Sequence, residues 1–427
     1  MIEEARHFTA ELAVIGSGLA GFAASIFALN RNIKTAQIGN TGAIAYTTGY
    51  LDLLGSLAPD YAASIEDPWQ GLELLRSSYP EHPLCRIPQT DIHTAFEQFT
   101  GFLGECGISY SSPGKTNARV LTPAGTLKPT LCMPATMQIG TTAFSRQEPC
   151  VIIDFKGLKG FSSSQIAANL KDQWPELRNT TIEFPDMSLG EIYPEVMARA
   201  LEVPETREKL AKILVGAAGE TKIIGLPAIL GMHSPDLVRK EMEQLTGLEI
   251  FEIPTMPPSV PGIRLREMFE QLFPQKGITL IPQQKVDKLK IEQDGARLFL
   301  SDSFGPITVD AKSVILATGR FLSGGLEASI DGITEPLLNL PVTQPGSREE
   351  WYREKYTDRR GHEINKAGIE VDASFRPLDN NGAPYSNNLF AAGVILAHQD
   401  WIRGRCGAGV AIATAYKAVE EVEKYLS

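Results

Sequence analysis

The chain has 427 residues, 43% hydrophobic and 21% charged, with a formal net charge of −11. That is an ordinary globular balance, long enough for two or three domains. A pI near 5.2 and the lack of any Lys/Arg-rich run argue against a nucleic-acid partner.

No run approaches the ~18 uninterrupted apolar residues of a membrane span. The acidic opening MIEEARHF leads straight into a strand and is not a signal peptide. Cys85, Cys106, Cys132, Cys150 and Cys406 are scattered without a CxxC. No metal-ligand set is therefore readable, and a reducing cytoplasm is expected.

The first element is an apolar β-branched run, Leu12-Ala13-Val14-Ile15, which reads as a buried parallel strand. Gly16-Ser17-Gly18-Leu19-Ala20-Gly21 follows with GxGxxG spacing, and a helix opens there with Leu19, Phe22, Ala23, Ile26 and Phe27 on one face. A second strand is expected over Thr35 to Ile38. Glycines of this spacing permit a tight turn, close approach to a phosphate and close helix-on-strand packing; the helix N-terminus adds free N–H groups. One position departs from the dinucleotide pattern. Where an acidic residue usually grips the adenosine ribose about 20 residues on, this chain has Gln37-Ile38-Gly39.

Gly42 to Leu57 is rich in small and hydroxyl residues; were the chain a flavoprotein with two dinucleotide-binding domains, this segment would pass the flavin, with Thr47, Thr48 and Gly49 as the candidate donors near its ring. His82, within Tyr79-Pro80-Glu81-His82-Pro83, is a candidate proton carrier set between turn formers. From about 90 to 260, strands and helices alternate: Val151 to Asp154, a Gly/Ser loop and a helix from Gln165, then Lys222 to Gly225 and a helix from Pro235 through Leu245. This pattern predicts a mainly parallel or mixed sheet. Pro254 to Gly262 reads as a stiff extended linker, and Arg264 just beyond it is a candidate anion clamp.

Ile278 to Ile281 reads as a third parallel strand, Val286 to Val309 as a β-meander, and Ser313 to Leu316 as a strand running into Ala317-Thr318-Gly319. Asn388 to Gly393 is a last strand, followed by Val394 where flavoproteins of this type usually carry Asp. Gly404-Arg405-Cys406-Gly407-Ala408-Gly409 starts a terminal helix whose N-terminus, with Gly407, Ala408 and Gly409, would face the flavin pyrimidine edge; Val410, Ala413, Tyr416, Val419 and Val422 form its inner face.

Several stretches together resemble the B-type subunit of the anaerobic glycerol-3-phosphate dehydrogenase. They are Gly49 to Leu54, Pro80-Glu81-His82-Pro83 with Arg86, Pro254 to Ser259 with Gly262 to Leu265, Ala317-Thr318-Gly319 with Phe321, Ser323, Gly324 and Leu326, Trp351-Tyr352, and Gly404 to Gly409. They run in order over nearly the whole chain.

The resemblance implies an α/β fold: a Rossmann-like FAD/NAD(P)-binding flavin domain of the glutathione-reductase type, discontinuous over 1–61 and 262–427. An inserted α/β substrate or cap domain would span 62–261. It implies a flavin, FMN with FAD as the alternative, for which the residues read above, Gly16 to Gly21, Thr47 to Gly49, Thr318, Gly319, Gly393 and Gly407 to Gly409, are the candidate holders.

The implied reaction is oxidation of glycerol 3-phosphate by hydride transfer to the flavin. The implied partners are the other two members of such a complex, an FAD-bearing catalytic subunit (the A type) with an iron–sulfur subunit (the C type), and electrons pass to the quinone pool. Location would be cytoplasmic, touching the membrane only through partners. His82 or His233 is the candidate base; Arg264, Arg403 and Arg405 are candidate anion holders. A non-catalytic electron-transfer or scaffold subunit, or a dehydrogenase of another small hydroxy acid or alcohol, are the alternative readings.

Overall fold

A computed structural model describes residues 6–39, 43–59, 61–187 and 190–427. Most of the acidic opening and Gly42 lie outside the described residues.

The elements that position the site are, in chain order, β1 (Arg6–Ile15), α1 (Leu19–Asn30), β2 (Thr35–Gly39), β3 (Cys150–Phe155), β4 (Leu177–Ile182), β5 (Ile223–Pro227) and β6 (Glu249–Ile253). After them come α2 (Val260–Gln275), β7 (Thr279–Pro282), β8 (Lys288–Glu292), β9 (Gly295–Asp302), β10 (Gly305–Leu316), β11 (Leu389–Ala391) and α3 (Gly407–Leu426). The chain divides into two compact units, one of residues 1–44, 51–99 and 269–427, the other of 45–50 and 100–268. The first is discontinuous, with borders other than those of the 1–61, 262–427 and 62–261 division read from the sequence. Residues 62–99 pack with it, and Phe99 lies 6.5 Å from Phe269.

Among the described residues, the first unit holds a seven-stranded sheet. Its parallel strands run in the order β7-β2-β1-β10-β11, which is 3-2-1-4-5 in chain order and the Rossmann arrangement. β1 is fully buried from Leu12 to Ile15 and pairs in register with Ser313 to Leu316. The expected meander is present as antiparallel β8-β9-β10. Its last strand and the strand expected separately at 313–316 are one 12-residue element, β10. That strand can join both because its first half pairs with β9 on one side while β1 holds its other edge throughout.

α1 is buried on nearly all sides from Ala20 to Ala28, wider than the single expected face. It packs Phe22 against Phe269 (ring centroids 4.4 Å apart) and Phe27 edge-on against Tyr416 (5.2 Å). On α3, Val410, Ala413, Val419 and Val422 are buried, as the periodicity predicts. A short helix, Trp401–Gly404, precedes α3, so Gly404 closes one helix and does not open the next.

The second unit carries a parallel four-stranded sheet in the order β4-β3-β5-β6. Val151, Ile153 and Phe155 of β3 face one apolar core and Cys150 and Ile152 the other. Both faces are covered, which is why these strands read as continuous apolar runs and not as alternating ones. The stretch expected to be extended through Gly262 turns helical at Val260, with Pro261 in the first turn, where a missing N–H costs nothing.

Arg264 is buried in this unit with its guanidinium forked onto Glu252, 2.7 Å to each oxygen, and its Nε donates to the Gly231 carbonyl at 2.8 Å. Burial alone would raise the Glu252 carboxyl; the Arg264 charge and hydrogen bonds from Arg264, Thr136 and Leu230 hold it below the usual range. Arg264 is therefore a structural cation within its own unit, which corrects the anion-clamp expectation. Replacing Glu252 by Ala strands a buried charge and should cost about 3–5 kcal/mol, read as a lowered urea midpoint. The double change Glu252→Leu with Arg264→Met should recover most of that loss.

Candidate functional site

The glycine turn sits where β1 and β10 end side by side, the point at which the strand order reverses and open sheets of this kind form their crevice. Gly16 has φ +132°, and any Cβ there would collide with the Ala317 carbonyl. A side chain on Gly21 would run into the Gly16 carbonyl, so helix and turn meet at backbone distance.

Gln37, fully buried on β2, braces this turn: its Nε2 donates to Gly16 O at 3.0 Å and its Oε1 accepts from Ser25 Oγ at 2.9 Å. The dinucleotide pattern has no use for an inward amide here. Gly39 is explained as well. A Cβ at this position would lie 2.6 Å from Ser17 N and 2.7 Å from Ser17 Oγ, so the usual acidic residue has no room.

Two observations test whether a flavin phosphate and ring fit this cradle. Ser17 Oγ and Thr318 Oγ1 are buried with no hydrogen-bond partner, and both stand at the turn, aligned with the ends of β1 and β10. The first turns of α1 and α3 have no acidic residue and no side-chain cap, which leaves N–H donors and partial positive charge available to an anion. The residues present fit the group. Gly16 to Gly21, Thr318 and Gly319 could hold the phosphate.

Gly393 (φ +83°) packs against Ala20, and its N–H donates to Thr414 Oγ1 at 2.8 Å, drawing β11 and α3 into the same crevice. At α3 the expectation divides. Gly409 commits its N–H to Asp52 O at 2.7 Å and is required by close packing on Leu53. Gly407 and Ala408, in the same first turn, are the donors that remain. Thr47, Thr48 and Gly49 belong to the other unit, where Gly49 packs against Pro261, Pro134 and Tyr110.

The candidate proton carrier and anion holders separate clearly. His82 is buried, and its Nδ1 accepts the Leu84 N–H at 3.2 Å, capping a short 3₁₀ turn. Burial, then the nearby His398, pushes its pKa down to about 3. Its lone pair is already engaged and the ring stays neutral, so His82 is a structural imidazole; the base expectation is corrected. His233 is exposed on a turn of the second unit.

Arg403 lies in the short helix capped by Asp400. Arg405 has φ +47° and closes that helix in a left-handed conformation, its backbone N–H donating to the Trp401 carbonyl. Its side chain makes no hydrogen bond or ion pair among the described residues.

The sequence reading missed the group that organises this end of the crevice. Arg320, directly after Ala317-Thr318-Gly319, is buried and donates to four carbonyls: Val394 (2.5 Å), Leu396 and Gln399 (3.1 Å each) and Asn365. Burial lowers its pKa to about 10, opposed by Asp400, so it remains a cation near neutral pH. Its place just after a glycine-ended strand was a usable signal. His398 follows β11 at φ +63° and borders an open cleft of about 870 Å³, together with Thr343, Gln344, Tyr352, Arg353 and Lys366. Among the described residues no helix is long and apolar enough to cross a membrane.

The buried His82 sets a pH dependence with a definite sign. Its folded pKa, about 3, lies below the ordinary 6.5, so its stability contribution is whole near neutral pH. Below pH 6.5 the unfolded chain takes up a proton that the folded one refuses, and stability falls by up to about 1.4 kcal/mol per pH unit. Urea midpoints of wild type and His82→Gln measured from pH 7 to 4 should converge as pH falls.

A family model described as FAD binding domain matches residues 11–410. A Vibrio cholerae serotype O1 (strain M66-2) protein, named as the B-type subunit of anaerobic glycerol-3-phosphate dehydrogenase, is 31% identical over 430 residues, 96% of this chain and 96% of its own length. Its counterpart in Aliivibrio fischeri (strain ATCC 700601 / ES114) is 29% identical over 438 residues, 97% of this chain and 95% of its own. Among solved structures, 3-ketosteroid delta1-dehydrogenase from Sterolibacterium denitrificans covers 98% of this chain and 100% of its own at 11% identity and a TM-score of 0.44. The chain belongs to the FAD binding domain family and, within it, to the family of B-type subunits of anaerobic glycerol-3-phosphate dehydrogenases.

Proposed function

We propose that this chain is the flavoprotein subunit that oxidises sn-glycerol 3-phosphate to dihydroxyacetone phosphate. The observation that carries the reading is the match to named B-type subunits over 96–97% of the chain, joined to a crevice whose orphan donors fit a flavin. The flavin, when bound, supplies the two-electron acceptor.

The chain's own residues do the rest. The Gly16–Gly21 turn, Ser17 and Thr318 hold phosphate, and Gly319, Gly393, Gly407 and Ala408 let the cofactor approach backbone closely. The glutathione-reductase type of domain and a substrate-binding role for the second unit are part of this reading. Arg405, an unengaged cation near α3, is the anion holder that its geometry supports best. FMN is favoured over FAD because Gly39 leaves no room for the acidic ribose grip. An FAD-bearing A-type partner, an iron–sulfur C-type partner, onward transfer to quinone, and a cytoplasmic position reaching the membrane through those partners complete it.

Denaturing the purified protein and weighing the released cofactor should return FMN; FAD would reject that half of the reading. Glycerol 3-phosphate should bleach the flavin absorption of the assembled complex anaerobically. A fully flavinated complex that stays oxidised favours a non-catalytic electron-transfer role for this chain. Gly39→Ala should weaken flavin binding tenfold or more, about 1.4 kcal/mol, measured by fluorescence titration of the apoprotein.

A further inference from the structure

Beyond the glycine cradle, a group of titratable side chains of the first unit lies around residues 393–400. His398 Nε2 and Glu370 Oε1 are 2.5 Å apart, and Thr343 Oγ1 donates to the same carboxylate oxygen at 2.9 Å. Both members of the pair are about one-third exposed, and His398 lines the open cleft. An ionised Glu370 can only accept, so in the neutral imidazole it fixes the proton on Nε2 and leaves the lone pair on Nδ1. Burial would raise the Glu370 carboxyl, but hydrogen bonds from His398 and Thr343 hold it below the usual range. His82 does not compete for this role, since its Nδ1 is engaged by Leu84.

The placement of His398 is enforced. Arg320 clamps the carbonyls of Val394, Leu396 and Gln399, on both sides of it, and the His398 backbone sits in a left-handed conformation that this clamp sustains. Strain held beside an open cleft is typical of functional positions.

From this geometry we infer that His398, oriented by Glu370, is the proton acceptor for the secondary hydroxyl of the substrate, with Arg320 as the positioning residue. The inference rests on the alcohol-oxidation reading above. In the step, the hydroxyl O–H breaks and its proton passes to His398 Nδ1. The carbinol C–H would break with its electron pair, for which a bound oxidised flavin would be the two-electron acceptor, leaving the carbon as a ketone. The imidazolium so formed is stabilised by Glu370, and its proton later returns to solvent through the cleft.

The test uses the flavin-loaded protein with its partner subunits. Dithionite bleaching and flavin content should be the same for wild type, His398→Gln and His398→Ala. Bleaching by glycerol 3-phosphate should slow about 100- to 10,000-fold in both variants, and added imidazole should partly restore the rate of His398→Ala. Arg320→Lys should lower kcat and leave KM unchanged.

Independently of turnover, the ¹⁵N-histidine resonance that disappears in His398→Gln should move in Glu370→Gln. Wild-type bleaching rates in His398→Gln, or a resonance indifferent to Glu370→Gln, would overturn the inference. If glycerol 3-phosphate fails on wild type but glycerol or a 2-hydroxy acid bleaches it, the substrate reading falls and the same variants are judged with that alcohol. If no alcohol bleaches it, both fall.

Discussion

The first unit depends on one close approach: the Gly16 turn at the end of β1 lies against the Ala317 carbonyl at the end of β10. β1 pairs with β10 over almost its full length, so the two strand ends are delivered to the same level. Only a glycine in a left-handed conformation can reverse the chain there without striking the neighbouring backbone. Everything that follows is set by that contact. α1 is aimed from it, Gln37 is turned inward to brace it, and Gly39 is kept free of a side chain so that Ser17 can enter.

Around that backbone contact the electrostatics are arranged to offer positive potential and unfilled donors. Two uncapped helix N-termini without first-turn acids converge with the strand ends. The buried Arg320 is satisfied by carbonyls and not by a carboxylate, with Asp400 near enough to oppose the effect of burial. A buried cation paired in this way keeps its charge while fixing the course of the backbone from Val394 to Gln399. Two non-glycine residues of that region, His398 and Arg405, occupy left-handed conformations, one on each side of the Asp400 cap. That of Arg405 closes the short helix, its N–H donating to the Trp401 carbonyl.

The second unit handles charge differently. Its parallel sheet is buried on both faces, and its forked ion pair, Arg264 with Glu252, is closed off from solvent and anchored further by Thr136 and Gly231. An arginine after a proline-rich lead-in looks from sequence like a clamp waiting for an anion. Its carboxylate partner lies 12 residues earlier in the chain, on a strand whose neighbouring residues are mostly apolar, and no local pattern announces the pairing.

Much of the fold was legible in the chain itself because its signals are local. The apolar run Leu12 to Ile15, the glycine spacing, the helical periodicity after Gly407 and the turns of the meander each follow from neighbouring residues, and each appears within a few positions of where it was expected. The ordered family stretches made the flavoprotein character legible too. Tertiary structure alone decided which side chains remain available for chemistry. His82 and Arg264 carry the right functional groups, but burial and fixed partners claim both. His398 and Glu370 are 28 residues apart and meet because the backbone of Ala397 and His398 pairs with Ile369 and Lys366, while Arg320 holds carbonyls in both stretches, from Asn365 to Gln399. Local propensity is written in adjacent residues, whereas desolvation and pairing depend on what long-range packing brings alongside, and that information is not carried by spacing.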